Sequence, residues 1–441
     1  MQFHWKDPQL SDVAQFTPET PAQVPEAPKP HPGKPAQPSL HMFLLRKFFG
    51  QIIRNGTLTL IGPGSKNYAV GSGEPCVTIR ITDTATARRI LLNADMAVGE
   101  AYMDGSLVIE QGDIYDFLDL CFANLGWGYG HWARYARAML RRVARPVIQY
   151  NPIGKARENV AHHYDLSDAL YELFLDANRQ YSCAYFMTPD DTLEAAQAQK
   201  MRHIAAKLLL RPNQRVLDIG SGWGGLALHV AQTARVNVTG ITLSTEQHGY
   251  AQRRAEAAGV SDHVRFLLQD YRETTGHYDR IASVGMFEHV GIDHYRTYFE
   301  RIRDLLTDDG VALVHTIGSA AGPAAGSSWL NRYIFPGGYS PALSEIVPHI
   351  ERAGLYITDV EVLRLHYAET LKAWRHRFHQ KRHIAAELYD ERFCRMWDFY
   401  LAACEAAFRH SGLVVFQIQL SKRIDAVPIT RDYIGEWERA H

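Results

Sequence analysis

One carboxylate and four glycines form the densest group of residues in this chain that could do chemistry. In VLDIGSGWGG, Val216–Gly225, Asp218 stands on an apolar run, and Gly220, Gly222, Gly224 and Gly225 follow before an apolar helical pattern begins. A strand that turns sharply into a helix while its backbone lies against a ligand needs residues without Cβ, so the segment reads as a nucleoside-cofactor loop. A purely structural glycine turn is the alternative. Two further groups follow: Glu288 and His289 in MFEHVG, and His315 to Gly318 in HTIG. Glu288 lies in an apolar stretch, where an unpaired carboxylate is costly, so a partner for it is expected. His315 at a strand end suits acid–base work or a satisfied place in the core.

Strands and helices alternate after Asn151, which predicts a parallel sheet covered on both faces. The candidate strands are RVLDIG, VNVTGITLS, VRFLLQD, YDRIASVG, VALVHTIG, LYITDVEVLRLH and VVFQIQLSK. Ligands of such sheets bind beyond the carboxyl ends of the strands. The positions there are Asp218 to Gly224, Thr242 to Gln247 (with Leu243 and Ser244 between), Asp270 with Tyr271, Glu288 with His289, and His315 to Gly318. An acidic strand residue with glycines at alternate positions is the pattern of S-adenosylmethionine-dependent methyltransferases, whereas pyrophosphate sites favour GxGxxG. The second strand departs from the general pattern. It ends in ITLSTEQ, so Thr242, Ser244 and Gln247 replace the usual ribose-binding acid, and Glu246 is the one carboxylate nearby. The fold expected is α/β: a class I methyltransferase, Rossmann-like seven-stranded sheet with helical insertions, preceded by a small α/β N-terminal domain.

Four segments divide the 441 residues. Residues 1–40 are a Pro-rich arm with almost nothing to bury, expected to be disordered. Residues 41–130 form the N-terminal α/β domain, with strand-like GTLTLIG, PCVTIRI and SLVIEQG and helical ARRILLN and DIYDFLDLCFANL. Residues 131–150 are a basic linker helix, and 151–441 the catalytic domain. In the linker, Arg134, Arg137, Arg141 and Arg145 recur at helical spacing, with no acidic residue between Asp119 and Glu158. Such a face is either a solvated linker or a contact for anionic lipid, worth on the order of 1 kcal/mol per basic residue. Lys372, Arg375, Arg377, Lys381 and Arg382 make a second basic cluster, and MFLLRKFFGQIIR, Met42–Arg54, mixes apolar and basic residues.

No run reaches the roughly 18 apolar residues of a membrane span, and the N-terminus has no secretory pattern, so a cytoplasmic chain is expected. Five cysteines without CxxC predict reduced thiols. A net charge of -1 speaks against general nucleic-acid binding. No metal site is expected, because His162, His163, Cys183 and Glu288 match no ligand spacing.

The segments HYDLSDALYELFLD, YSCAYF, VLDIGSGWGG, GITLSTEQ, MFEHVG, ALVHTIG and HYAETLKAW occur in one order between about Asn151 and Arg423. In that order and spacing they resemble the cyclopropane-fatty-acyl-phospholipid synthases and the related mycolic acid cyclopropane synthases. GEAYMDGSLVI upstream is similar to the N-terminal domain of the bacterial phospholipid enzymes, which implies unsaturated phospholipids as substrate. The implied reaction adds a methylene from S-adenosylmethionine to a cis double bond. The double bond attacks the sulfonium methyl, and the resulting carbocation loses a methyl proton as the ring closes.

The resemblance implies bicarbonate as the base, held by Cys183 through its main chain, Glu288, His315, the main chain of Ile317, and Tyr367. It implies cofactor contacts from Tyr164, Tyr181 and Ser182 besides Asp218, Gly220, Gly222, Gly224, Thr242, Leu243, Gln247, Asp270 and Tyr271. It further implies a homodimer, and the basic helical faces lead us to expect peripheral association with the anionic inner face of the membrane. Ordinary roles stay open for single residues. Cys183 suits a small buried position, and Phe287, Trp329, Tyr333, Phe335 and Tyr339 serve either as walls against water or as core. Competing readings are a methyltransferase that leaves a methyl or methylene branch, an amine N-methyltransferase, and a catalytically silent lipid-surface protein.

Overall fold

The computed structural model describes residues 40–126, 167–324 and 326–441. The Pro-rich arm, the basic linker and Tyr164 lie outside the described residues. The first helix, α1 (Leu40–Ile52), buries Met42, Leu45 and Phe49 at helical spacing. Strands β1 (Gly56–Ile61), β2 (Asn67–Ser72) and β3 (Cys76–Ile81) follow, then α2 (Thr84–Leu92), α3 (Ala94–Met103), β4 (Leu107–Gln111) and α4 (Ile114–Leu125). Asp83 caps α2, and Asp113 with Asp116 closes a capping box on α4. The four strands form one mixed sheet, ordered β2-β1-β3-β4. Strands β1 and β3 alternate buried and half-buried positions, as a sheet with one covered face requires.

A single turn of helix, α5 (Asp168–Glu172), opens the next described segment. After it come α6 (Leu193–Lys207), β5 (Arg215–Ile219), α7 (Gly225–Ala234), β6 (Asn237–Thr242), α8 (Thr245–Ala257), β7 (Val264–Leu268), β8 (Tyr278–Val284), α9 (Tyr295–Leu305) and β9 (Leu306–Ser319). The chain continues through α10 (Ser328–Tyr333), α11 (Leu343–Arg352), β10 (Tyr356–Leu363), α12 (His366–Gln380), α13 (Arg382–Leu388), α14 (Glu391–His410), β11 (Leu413–Ser421) and α15 (Asp432–Ala440).

All seven strands expected after Asn151 are present, in the order β10-β11-β9-β8-β5-β6-β7. Not all of them are parallel. Strand β11 runs antiparallel to both β9 and β10, because the three helices inserted after β10 bring the chain back beside the end of that strand, Val415 opposite Leu363. Alternate residues of the central strands feed two cores: Leu217, Ile219, Ile281 and Val314 face one, and Val216, Ala282 and Leu313 the other. A third core joins the N-terminal elements to α12 and α14. Helix α14 packs on α3, α4 and α12, so Pro38–His441 forms one compact unit containing both sheets.

Candidate active site

The loop after β5 turns on glycines whose conformations other residues rarely adopt: φ is +81° at Gly220, +54° at Gly222 and +82° at Gly224. The amides of Gly220 and Ser221 both donate to the carbonyl of Ile241, at 2.9 Å each, which ties the loop to β6. A Cβ on Gly222 would meet nothing within 4 Å, whereas one on Gly224 would sit 2.7 Å from Phe266. The first glycine therefore opens on a cavity, and the second allows close packing under the loop.

That cavity lies over the carboxyl ends of β5, β6 and β8. Of the expected cofactor residues, Tyr181, Ser182, Asp218, Gly220, Gly222, Thr242, Leu243, Gln247, Asp270 and Tyr271 line it, and Gly224 does not. Asp218 is 3% exposed, and its Oδ2 has no hydrogen-bond partner. Burial pushes its carboxyl up to about 7, with Lys200 opposing. A buried carboxylate facing a cavity fits a cationic ligand group. Thr242 Oγ1 donates to Gln247 Oε1 at 3.1 Å, and the amide of Gln247 donates to Ser244 Oγ, which spends Ser244 as the cap of α8. Glu246 is exposed and does not line the cavity. Asp270 is already held by Arg272, whose Nε and Nη2 donate to its two oxygens at 2.9 and 2.7 Å.

Sequence reasoning missed part of the lining: Arg179, Gln180, Gln269, Arg272, Met286 and Pro336. Arg179 and Gln180 directly precede the YSCAYF segment, so their position was the available signal. Pro336 comes from the long connection after β9, and nothing local marks it.

None of the five expected catalytic residues lines this cavity; they lie one layer behind it or beside it. Glu288 sits in a 3-10 turn directly after β8, between the lining residues Met286 and His289. Its neighbour Phe287 is fully buried against Tyr295, Tyr298 and Phe299, which anchors the turn on the opposite side. Phe287 is therefore core and not a wall. Glu288 Oε1 accepts the amide of Ile317 at 2.6 Å, while Oε2 is buried without a partner. Burial pushes this carboxyl up to about 7, and the bond from Ile317 opposes that.

His315 is 2% exposed and lies within 3.2 Å of Gln417 Nε2 through its Nδ1. An amide nitrogen donates, so Nδ1 accepts and the ring proton stays on Nε2. Burial holds the imidazole neutral, well below its ordinary range. Tyr367 packs on Phe408 and Trp374, and Trp374 packs on Tyr181 of the cavity wall. Cys183 is buried, burial holds its thiol well above the usual range, and its Sγ donates to the carbonyl of Ala184. The next amide, of Ala184, donates to Thr370 Oγ1, three residues beyond Tyr367 on α12.

Of the other aromatic candidates, Trp329 packs against Phe399, Tyr333 donates to Glu100, and Tyr339 donates to Glu345. Phe335 lies against His289 and Tyr400. The second basic cluster is largely neutralised. Arg375 pairs with Glu405 and Asp113, Arg377 with Glu194, and Arg382 with Glu391 and Asp398, leaving Lys372 and Lys381 exposed.

A seven-stranded sheet with its last strand antiparallel, a glycine turn after β5 and a buried carboxylate over an open cavity define a class I S-adenosylmethionine-dependent methyltransferase. The mycolic acid cyclopropane synthetase family model matches residues 153–418, and the chain belongs to that family. It is 37% identical over 354 residues to the cyclopropane-fatty-acyl-phospholipid synthase of Escherichia coli K12, covering 80% of this chain and 90% of the relative. A probable fatty acid methyltransferase of Pseudomonas putida is 35% identical over 394 residues, 87% of this chain and 93% of the relative. The solved structure of the mycolic acid cyclopropane synthase CmaA1 complexed with SAH and CTAB is 33% identical, with a TM-score of 0.58. That match covers 62% of this chain and 99% of that one.

Proposed function

We propose that this protein transfers the methylene group of S-adenosylmethionine to the cis double bond of unsaturated phospholipid acyl chains, forming cyclopropane fatty acids. The observation that carries this reading is Glu288, a buried carboxylate with one unpartnered oxygen, set between two residues of the cofactor cavity. Amine methylation needs no bicarbonate set, so the joint presence of Glu288, His315, Ile317 and Tyr367 speaks against it. S-adenosylmethionine, when bound, supplies an electrophilic methyl. Asp218 is placed to hold the ammonium of its methionine end, and Gly222 lets the loop backbone approach it. Trp223, Met286 and Tyr181 offer apolar surface that keeps water from a cation developing on the acyl chain.

Ring closure requires that a proton leave the added carbon. Bicarbonate at Cys183, Glu288, His315, Ile317 and Tyr367 would supply the base. The residues fit such an anion: Glu288 Oε2 is free to accept its hydroxyl, and His315 Nε2–H is a donor. The Ile317 amide donates to Glu288 Oε1 at 2.6 Å, so these two members of the set would act as one unit. Substrate selection belongs to the same proposal: an anionic membrane surface meets the basic residues 134–145, while Arg375, Arg377 and Arg382 are spent on internal ion pairs.

The test is to incubate the purified protein with S-adenosylmethionine and vesicles of unsaturated phospholipid. Acyl chains heavier by one methylene, with ring-specific proton signals, are expected. A methyl-branched or exomethylene product of the same mass class would overturn ring formation and leave the cofactor assignment standing.

A further inference from the structure

Behind the cofactor cavity lies a cation that sequence reading passed over. Lys200 is on α6, in LEAAQAQKMRHIAAK, where a lysine at mid-helix reads as an exposed charge; it is 1% exposed. Its Nζ donates to Gln180 Oε1 at 2.5 Å and to Ser182 Oγ at 2.8 Å. Gln197, one turn earlier on the same helix, donates from Nε2 to the carbonyls of Gln180 and Ser182 at 3.2 and 3.0 Å. Helix α6 thus grips the segment before Cys183 twice, by its backbone through Gln197 and by its side chains through Lys200. Both Gln180 and Ser182 line the cavity.

An ammonium group only donates, whereas a serine hydroxyl and a glutamine amide each do both. Lys200 occupies acceptor capacity on each. The proton of Ser182 must then point away from Lys200, while the Gln180 NH2 lies beside Gly225 at the start of α7 and donates to the carbonyl of Asn178 at 3.5 Å. Ser182, an ambivalent group on the cavity wall, becomes a donor. Asp218, on the same cavity, is the opposite kind of group, a carboxylate with an unpartnered oxygen.

We infer that Lys200 is a positioning residue that fixes Ser182 as a hydrogen-bond donor toward the carboxylate of the cofactor's methionine moiety, while Asp218 takes the ammonium. This rests on the cavity being the S-adenosylmethionine site. At neutral pH burial pushes the Lys200 ammonium down only to about 8, with Asp176, Cys183 and Asp218 opposing, so the donor-only form persists.

Isothermal titration of wild type, Lys200→Met and Ser182→Ala with S-adenosylhomocysteine and with its decarboxylated analogue tests the assignment. Each variant is expected to lose about tenfold or more in affinity for the intact ligand, the order expected for a hydrogen bond to a charged group, and to bind the decarboxylated analogue as wild type does. Equal loss for both ligands, or no loss for either, overturns the inference, the first by showing a general structural role. Should Lys200→Met not fold, Ser182→Ala decides alone by the same criterion. Failure of wild type to bind S-adenosylhomocysteine at all would instead remove the cofactor reading.

Discussion

Glu288 carries a cost that its chemistry explains. Its carboxyl is pushed up to about 7, above an ordinary 4.5, chiefly by burial. A group whose pKa is raised by folding contributes most at low pH, and that contribution is lost as pH rises from 4.5 through about 7. Above that range the folded protein holds an ionised carboxylate that would be better solvated in the unfolded chain. Glu288→Gln keeps the shape and removes the charge, so its melting temperature at pH 8 should exceed that of wild type, by an amount on the order of 1–3 kcal/mol of stability, and the difference should vanish near pH 5. Turnover should fall by about 100-fold or more, as for loss of a group that manages a proton, with S-adenosylhomocysteine affinity unchanged. Calorimetry at the two pH values and the vesicle assay check both halves. A variant less stable than wild type at pH 8 would contradict the account of this site as one where stability is spent on a buried charge.

Elements show which parts of the structure a local pattern can carry. The seven strands of the large sheet were legible because each is a short apolar run bounded by turns, and the glycine loop because its φ values leave few other residues possible. Strand β2, NYAVGS, was not, since it is a largely exposed edge with a single buried residue, Val70. The direction of β11 was not legible either, because its residues alternate identically whichever way the strand runs. Pairing across the chain is the general obstacle: Arg377 meets Glu194 at a separation of 183 residues and Arg375 meets Asp113 at 262, so a basic face on paper becomes an ion-paired one.

The same holds for α15, whose Glu438 bonds His203 Nδ1 at 2.6 Å while Glu361 bonds Nε2 at 2.7 Å. Burial lowers the His203 pKa, but the two carboxylates outweigh it and the net shift is upward; Glu361 resists the raising effect of burial and is lowered by His203 and Lys207. The histidine contribution is therefore full below 6.5 and lost as pH rises through its raised value, and the glutamate contribution is full above 4.5 and lost as pH falls. Amides of 432–440, corrected for intrinsic exchange rates, should be best protected between those limits and progressively exposed on alkalinisation. Protection that stays flat from pH 5 to 9 would show that the bonds of His203 to Glu438 and Glu361 do not hold α15 in place. Gly224→Ala is a simpler element test: strained at φ +82° and 2.7 Å from Phe266, it should cost about 1–3 kcal/mol of stability, whereas Gly222→Ala should chiefly weaken cofactor binding.

On the scale of the whole molecule, the N-terminal sheet and its helices are fastened to the elements that frame the cavity. Arg375 bridges Asp113 and the 1%-exposed Glu405, Arg395 donates to the carbonyl of Met103, and Arg392 pairs with Asp104. A close-packed aromatic contact adds to these pairs. Gly99 on α3 faces Trp329 of α10 so closely that a Cβ there would fall 2.4 Å from Trp329 Nε1 and 2.9 Å from Phe399. From Trp329 the chain runs through Pro336, which lines the cofactor cavity, to Tyr339, whose amide donates to the carbonyl of Glu288 at 3.1 Å. A packed core transmits displacement because it has no room to absorb it. Gly99→Leu should therefore push α10 from its seat, costing about 1–3 kcal/mol by overpacking, and should lower turnover through Glu288 more than it lowers affinity for S-adenosylhomocysteine. Trimming the opposing side chain makes the prediction specific: Gly99→Leu combined with Trp329→Ala should recover much of the lost turnover, since the new side chain then occupies the vacated volume. If the double variant is no more active than Gly99→Leu alone, the path from the N-terminal module to Glu288 does not run through this contact.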